Sequence, residues 1–87
     1  MASGSLTVGT LQIDVGAAKA LQKRSSLLAV GIKKVKGDFE IGEVVEITDN
    51  QGVMLAVART KVSSAELTEN LKTLNFEVAN ANDIVLI

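Results

Sequence analysis

The side chains best equipped for chemistry in this 87-residue chain are its charges, because it contains neither histidine nor cysteine. The missing histidine removes the commonest general base and the commonest metal ligand. The missing cysteine removes disulfide staples and any argument for an oxidising compartment. What remains is an uneven distribution of charge around a net of −1. From Val15 to Gly37 no carboxylate occurs, while Lys19, Lys23, Arg24, Lys33, Lys34 and Lys36 all fall there. From Asp38 to Asp49 the sign reverses, with Asp38, Glu40, Glu43, Glu46 and Asp49 and no basic residue. Opposed blocks suit pairing between neighbouring segments, a mixed solvated surface, or one basic face that meets an anion.

Other patterns that could carry chemistry fail on inspection. "GDFEIG", Gly37 to Gly42, begins and ends in glycine, but Glu43 stands where a phosphate loop needs lysine, so it reads as a turn. The acidic residues around it lack the spacing of a calcium loop. Ser63 and Ser64 have no histidine partner, and helix capping accounts for Ser63. No catalytic constellation emerges, and the chain is not expected to be an enzyme by itself.

The elements that must position these residues are short. "SLTV" and "TLQID" each alternate apolar and polar, and Gly9 shifts the phase between them, which calls for a break or bulge. Asp14 can cap a helix over "VGAAKALQKR", with Ala17, Ala20 and Leu21 on one face and the basic residues crowding its C-terminal end. "LLAVGIKKV" reads as one buried strand that emerges into solvent at its lysines. Gly37 and Gly42 frame a tight corner around Asp38 and Phe39, and "EVVEITD" runs back out. "DNQG" is a turn in which Asn50 and Gly52 tolerate the left-handed conformation. "VMLAVARTKV" continues as a strand. In "SSAELTENLKTL", Ser63 and Glu66 form a capping box, and Leu67, Leu71 and Leu74 line one helical face. The chain ends with "FEVAN" and the apolar "DIVLI", which read as a last strand closing the sheet.

Many short strands with two short helices point to a mainly β fold, a small barrel or pseudo-barrel. The length suits one domain over residues 6–87, behind a small, polar linker over residues 1–5, "MASGS". No apolar run approaches the length that spans a bilayer and no leader is visible, so the expectation is a cytoplasmic protein with no membrane partner.

Residues Gly9 to Leu21, "GTLQIDVGAAKAL", followed by Ser25 to Ile47, "SSLLAVGIKKVKGDFEIGEVVEI", resemble the PUA domain family, and most closely the C-terminal PUA domain of glutamate 5-kinases. The matching pieces are the Gly-Thr-Leu strand at Gly9 to Leu11, the helix start at Asp14 to Ala17, the segment Ser26 to Ile32 and the corner Gly37 to Gly42. "SSAEL" matches the start of the late helix. Departures are Ala29 in place of a proline, Glu43 for aspartate, Ala58 for glycine, Val62 for an aromatic, and Asn80–Ala81 for a frequent His-Arg pair.

The resemblance implies a PUA-like pseudo-barrel and a chain without an active site or cofactor of its own. In glutamate 5-kinases, ATP, its Mg²⁺ and glutamate belong to a preceding amino-acid-kinase domain. Two function classes follow. One is an appended structural or regulatory module that packs on that kinase domain or supports a homo-oligomer. The other is RNA binding, with Lys19, Lys23, Arg24, Lys33, Lys34 and Lys36 as contacts to a structured stem. The absence of tyrosine and tryptophan counts against base stacking on single-stranded RNA but little against a stem held by phosphates. The balanced net charge favours the appended module.

Overall fold

Leu11 and Ile13 are fully buried while Thr10 and Gln12 are half-buried, the period-two pattern that makes Thr10–Ile13 the first strand, β1. The computed structural model describes residues 8–87. The expected linker over residues 1–5, and a strand starting at Ser5, fall outside the described residues. Val8 donates its backbone N–H to the Val44 carbonyl at 3.0 Å. Gly9 precedes β1, and its close neighbour is the Phe39 ring: a Cβ built there would lie 2.7 Å from Cδ2.

Asp14 caps helix α1 (Val15–Gln22), its Oδ1 accepting the Ala17 N–H at 2.8 Å. The helix stops two residues short of the expected Arg24. Arg24 turns left-handed at φ +65°, and the N–H groups of Lys23 and Arg24 close onto the carbonyls of Ala20 and Leu21.

The expected single strand over "LLAVGIKKV" is instead two strands joined by one 3₁₀ turn. Strand β2 (Leu27–Leu28) leads into the turn Ala29–Gly31, and β3 (Ile32–Lys36) leaves it. The cause is tertiary. Asp14 N–H donates to the Gly31 carbonyl at 3.0 Å, and α1 approaches so closely that a Cβ at Gly31 would sit 2.6 Å from Ala17 Cβ. The chain bends past the helix, so its two halves join different sheets.

Strands β4 (Val44–Thr48) and β5 (Met54–Arg59) form an antiparallel hairpin. In its turn Asp49 Oδ1 accepts the N–H groups of Gln51 and Val53 at 2.8 and 3.0 Å. Of the two residues expected to turn left-handed there, Gly52 does so at φ +85° and Asn50 does not. Helix α2 (Ser64–Glu69) starts at Ser63, whose Oγ accepts the Glu66 N–H at 3.2 Å. Leu67 is fully buried and Leu71 half-buried, but Leu74 is 77% exposed. The expected three-leucine face is cut short because Asn70 ends the helix, its side-chain amide donating to the Glu66 carbonyl at 2.8 Å. Beyond that point helical spacing no longer fixes direction.

Strand β6 (Glu77–Ala79), a 3₁₀ turn at Ala81–Asp83 and β7 (Ile84–Leu86) complete the chain. Five strands form one sheet in the order β3-β1-β4-β5-β7, with β1 and β4 parallel and the other neighbours antiparallel. A two-stranded ribbon, β2-β6, packs its Leu27, Val78 and Ala79 into the core shared with Leu11, Ile13, Ile47 and Leu67. Mainly β with two short helices is the class the sequence pointed to. No described helix is long and apolar enough to cross a membrane.

Candidate functional site

The corner after β3 is built from the backbone outward. Gly37 takes φ +84° and Gly42 φ +92°, the left-handed region that only glycine enters without strain. Between them the chain drops Phe39 into the core, 1% exposed, while Asp38, Glu40 and Ile41 stay outside. Phe39 is then tied to α2 in both directions: its N–H donates to Ser64 Oγ at 3.2 Å, and its carbonyl accepts the Ser64 N–H at 2.9 Å. Gly42 N–H donates to the Thr60 carbonyl and Thr60 N–H to the Glu43 carbonyl, each at 2.9 Å. Glu43 Oε1 accepts the Glu40 N–H at 2.9 Å. That bond gives the carboxylate the work of closing a turn, as the Asp49 carboxylate does in the β4–β5 hairpin. Among the described residues no three acidic side chains gather as a metal-holding group.

The six basic residues singled out from the sequence are all exposed. They fall into two groups of three, one at the C-terminal end of α1 and one on β3. Lys19 sits in the last turn of α1, Lys23 is its C-cap and Arg24 follows. Lys34 stands across from Gln12 and Lys36 from Thr10, on the side of β3 opposite the half-buried Val35, which pairs with Leu11. Strand β3 lies at one end of the sheet, with β1 as its neighbour. The start of α1 is bonded to Gly31, just ahead of β3. Lys23 is therefore about 13 Å from that junction along the helix and Lys36 about 16 Å along the strand.

One feature has only a faint trace in the sequence. A cleft of about 250 Å³ opens between α1 and the β2–β3 turn, bounded by Gly16, Ala17, Ala20, Leu28, Val30 and Gly31. Ala17 and Ala20, read from the sequence as one helical face with Leu21, are half-buried and line this cleft, and Ala17 also packs against the core. The run of small residues in "VGAAKA" is the signal that could have pointed to it, since small side chains leave room between elements. Elsewhere, Lys61 Nζ meets Glu77 Oε1 at 2.6 Å, an exposed pair that bridges the end of β5 to β6. Hydrogen bonds from Lys61 and then Ser26 hold the Glu77 carboxyl below its ordinary value.

The family model described as PUA domain matches residues 9–86. The chain belongs to the PUA domain family. Over 82 residues this PUA domain is 39% identical to a glutamate 5-kinase of Dehalococcoides mccartyi, an alignment covering 93% of this chain and 22% of that kinase. Other glutamate 5-kinases it matches are covered over about a fifth of their length as well. Among solved structures, a PUA domain from Aeropyrum pernix K1 in complex with tartrate superposes with a TM-score of 0.73 and 25% identity, over 91% of this chain and 41% of its own. A chain of an H/ACA ribonucleoprotein bound to a substrate RNA superposes with a TM-score of 0.76 and 19% identity, over 92% of this chain and 23% of its own. These likenesses fix the fold as PUA-type.

Proposed function

We propose that this chain is the non-catalytic C-terminal PUA domain of a glutamate 5-kinase, an appended structural or regulatory module of the enzyme that uses ATP to convert L-glutamate to glutamyl 5-phosphate in proline synthesis. The observation that carries this reading is the 39% identity extending over 93% of the chain. Structural neighbours in H/ACA ribonucleoprotein complexes reach only about 18–19%. The surface agrees with it. Phe39 is buried and Phe76 is half-buried against the core, so neither offers a stacking platform of the kind single-stranded RNA uses. On this reading ATP and Mg²⁺ belong to the kinase domain of the same polypeptide. The test is the natural gene: its reading frame ahead of residue 1 encodes an amino-acid-kinase domain. A frame encoding an RNA-modifying domain there overturns the proposal.

A second reading, an RNA-binding module, is favoured by one observation. Strand β3 presents Lys34 and Lys36 together on an exposed edge of the sheet, with Lys33 beside them. Three phosphate contacts from these lysines would release counterions, so affinity for an RNA stem would fall about 40-fold between 50 and 200 mM salt. Reversing Lys33, Lys34 and Lys36 to Glu would abolish that binding with the fold intact. The appended-module reading expects no salt-dependent binding for the variant to remove.

A further inference from the structure

Among the described residues, the five-stranded sheet ends in two edges of opposite character. Strand β3 carries Lys33, Lys34 and Lys36, and lysines along an edge discourage another strand from pairing there. Strand β7 has no such guard. Its residues are Ile84, Val85 and Leu86, followed by Ile87, with Val85 63% and Ile87 75% exposed. Ile87 N–H donates to the Leu55 carbonyl, so by the alternation of strand amides the Leu86 N–H and C=O point away from β5 toward the open side.

Beside this edge lies a notch of about 300 Å³ between α1 and the ends of β5 and β7. Gln22 is the sole polar side chain among those lining it; the rest include Leu21, Val53, Met54, Leu55 and Leu86. Val53, Met54, Leu86 and Ile87, which line the notch, together expose on the order of 350 Å², within the range of the largest apolar patch on a typical monomer.

That area discriminates between occupants. A freely associating partner needs about 800 Å² per side, more than this patch supplies. Two domains of one polypeptide dock through about 300–750 Å² per side, because the tether supplies the effective concentration. The glutamate 5-kinases that match are about five times longer than the region matched, so a large body of chain accompanies the corresponding domain there.

We propose that the β7 edge and its apolar notch are the surface on which the amino-acid-kinase domain of the same polypeptide docks, through an extended apolar segment that pairs with β7. This rests on the reading above. The segment would take up the outward N–H and C=O of Leu86 and place an apolar side chain into the notch. The lysine edge at β3 stays in solvent.

Hydrogen exchange on the full polypeptide of the natural gene, beside the 87-residue chain, tests this. The Leu86 amide is expected to exchange at least tenfold more slowly in the full polypeptide. The double variant Val85→Lys/Ile87→Lys in the full polypeptide returns Leu86 to the rate of the short chain, while slow exchange at Leu11 and Ile47 shows that the fold is kept. Lys34→Glu leaves Leu86 protected. If the full polypeptide contains a kinase domain and Leu86 exchanges equally in both, the docking surface is wrong and the functional reading stands. A gene without a kinase segment overturns the functional reading itself. Protection in the short chain that rises with its concentration assigns the edge to a second copy and also overturns the proposal.

Discussion

Replacing Phe39 with alanine removes the largest fully buried side chain of the domain. The ring lies against Gly9, on the floor of the corner that Gly37 and Gly42 shape, and is bonded through its backbone to α2 at Ser64. A buried Phe→Ala change costs about 3–5 kcal/mol, the loss of transfer energy plus the cavity left behind. Small domains hold about 5–15 kcal/mol in total, and in this size range 1 kcal/mol moves Tm by about 4–8 °C. Phe39→Ala is therefore expected to lower Tm by at least about 12 °C, read by circular dichroism, with Lys34→Ala as a control that shifts it by no more than a few degrees. Gly9→Ala sharpens the test. Its Cβ would meet the Phe39 ring at 2.7 Å and the Lys36 carbonyl at 2.8 Å. In a double-mutant cycle Gly9→Ala should cost less on the Phe39→Ala background, because the ring half of the clash is gone and the carbonyl half remains. A Tm within about 4 °C of the parent for Phe39→Ala, or strict additivity in the cycle, would refute the placement of this ring.

The two corner glycines should differ. Gly42→Ala meets open space and carries only the left-handed penalty of about 1–2 kcal/mol, whereas Gly37→Ala adds a contact of 2.7 Å with the Val8 carbonyl and should cost more in urea unfolding. Leu67→Ala should lose about 2–5 kcal/mol and Leu74→Ala under about 0.5 kcal/mol, checked by the same denaturant midpoints. Glu77 has a lowered pKa in the folded chain, so the stability it adds is present above the ordinary glutamate pKa of about 4.3 and is lost as pH falls through the folded value. Glu77→Gln should therefore flatten the fall in Tm on the acid side of that range while leaving the slope near neutrality unchanged, and the effect should be small because the pair is exposed.

Local signals were legible in the sequence where a single residue decides the geometry. Asp14 and Ser63 cap helices because a short oxygen-bearing side chain fits that position, and Gly37 and Gly42 turn left-handed because other residues cannot do so cheaply. Phe39 inside the corner could be read from its place between two β-branched runs. What was hidden depended on contacts far apart in the chain. The division of residues 27–36 into two strands follows from α1 meeting Gly31 through Asp14 and Ala17, which periodicity within the segment cannot report. Leu74 fits helical spacing, yet the helix has already ended at Asn70. Pairing between the acidic and basic blocks was one of three readings open in the sequence; what it could not show is that Glu43 and Asp49 accept backbone N–H groups within their own turns. The basic block, continuous in sequence apart from the apolar run between its halves, is divided between α1 and β3 by the fold.

Glutamate-dependent ADP release measures most directly whether this PUA domain is the appended module of a glutamate 5-kinase. The full polypeptide of the natural gene, supplied with ATP, Mg²⁺ and glutamate, is predicted to release ADP only when glutamate is present. The 87-residue chain alone is predicted to release none above buffer, because it carries no loop that cradles a triphosphate. Turnover by the isolated chain, or a full polypeptide with no glutamate-dependent turnover, would contradict the account.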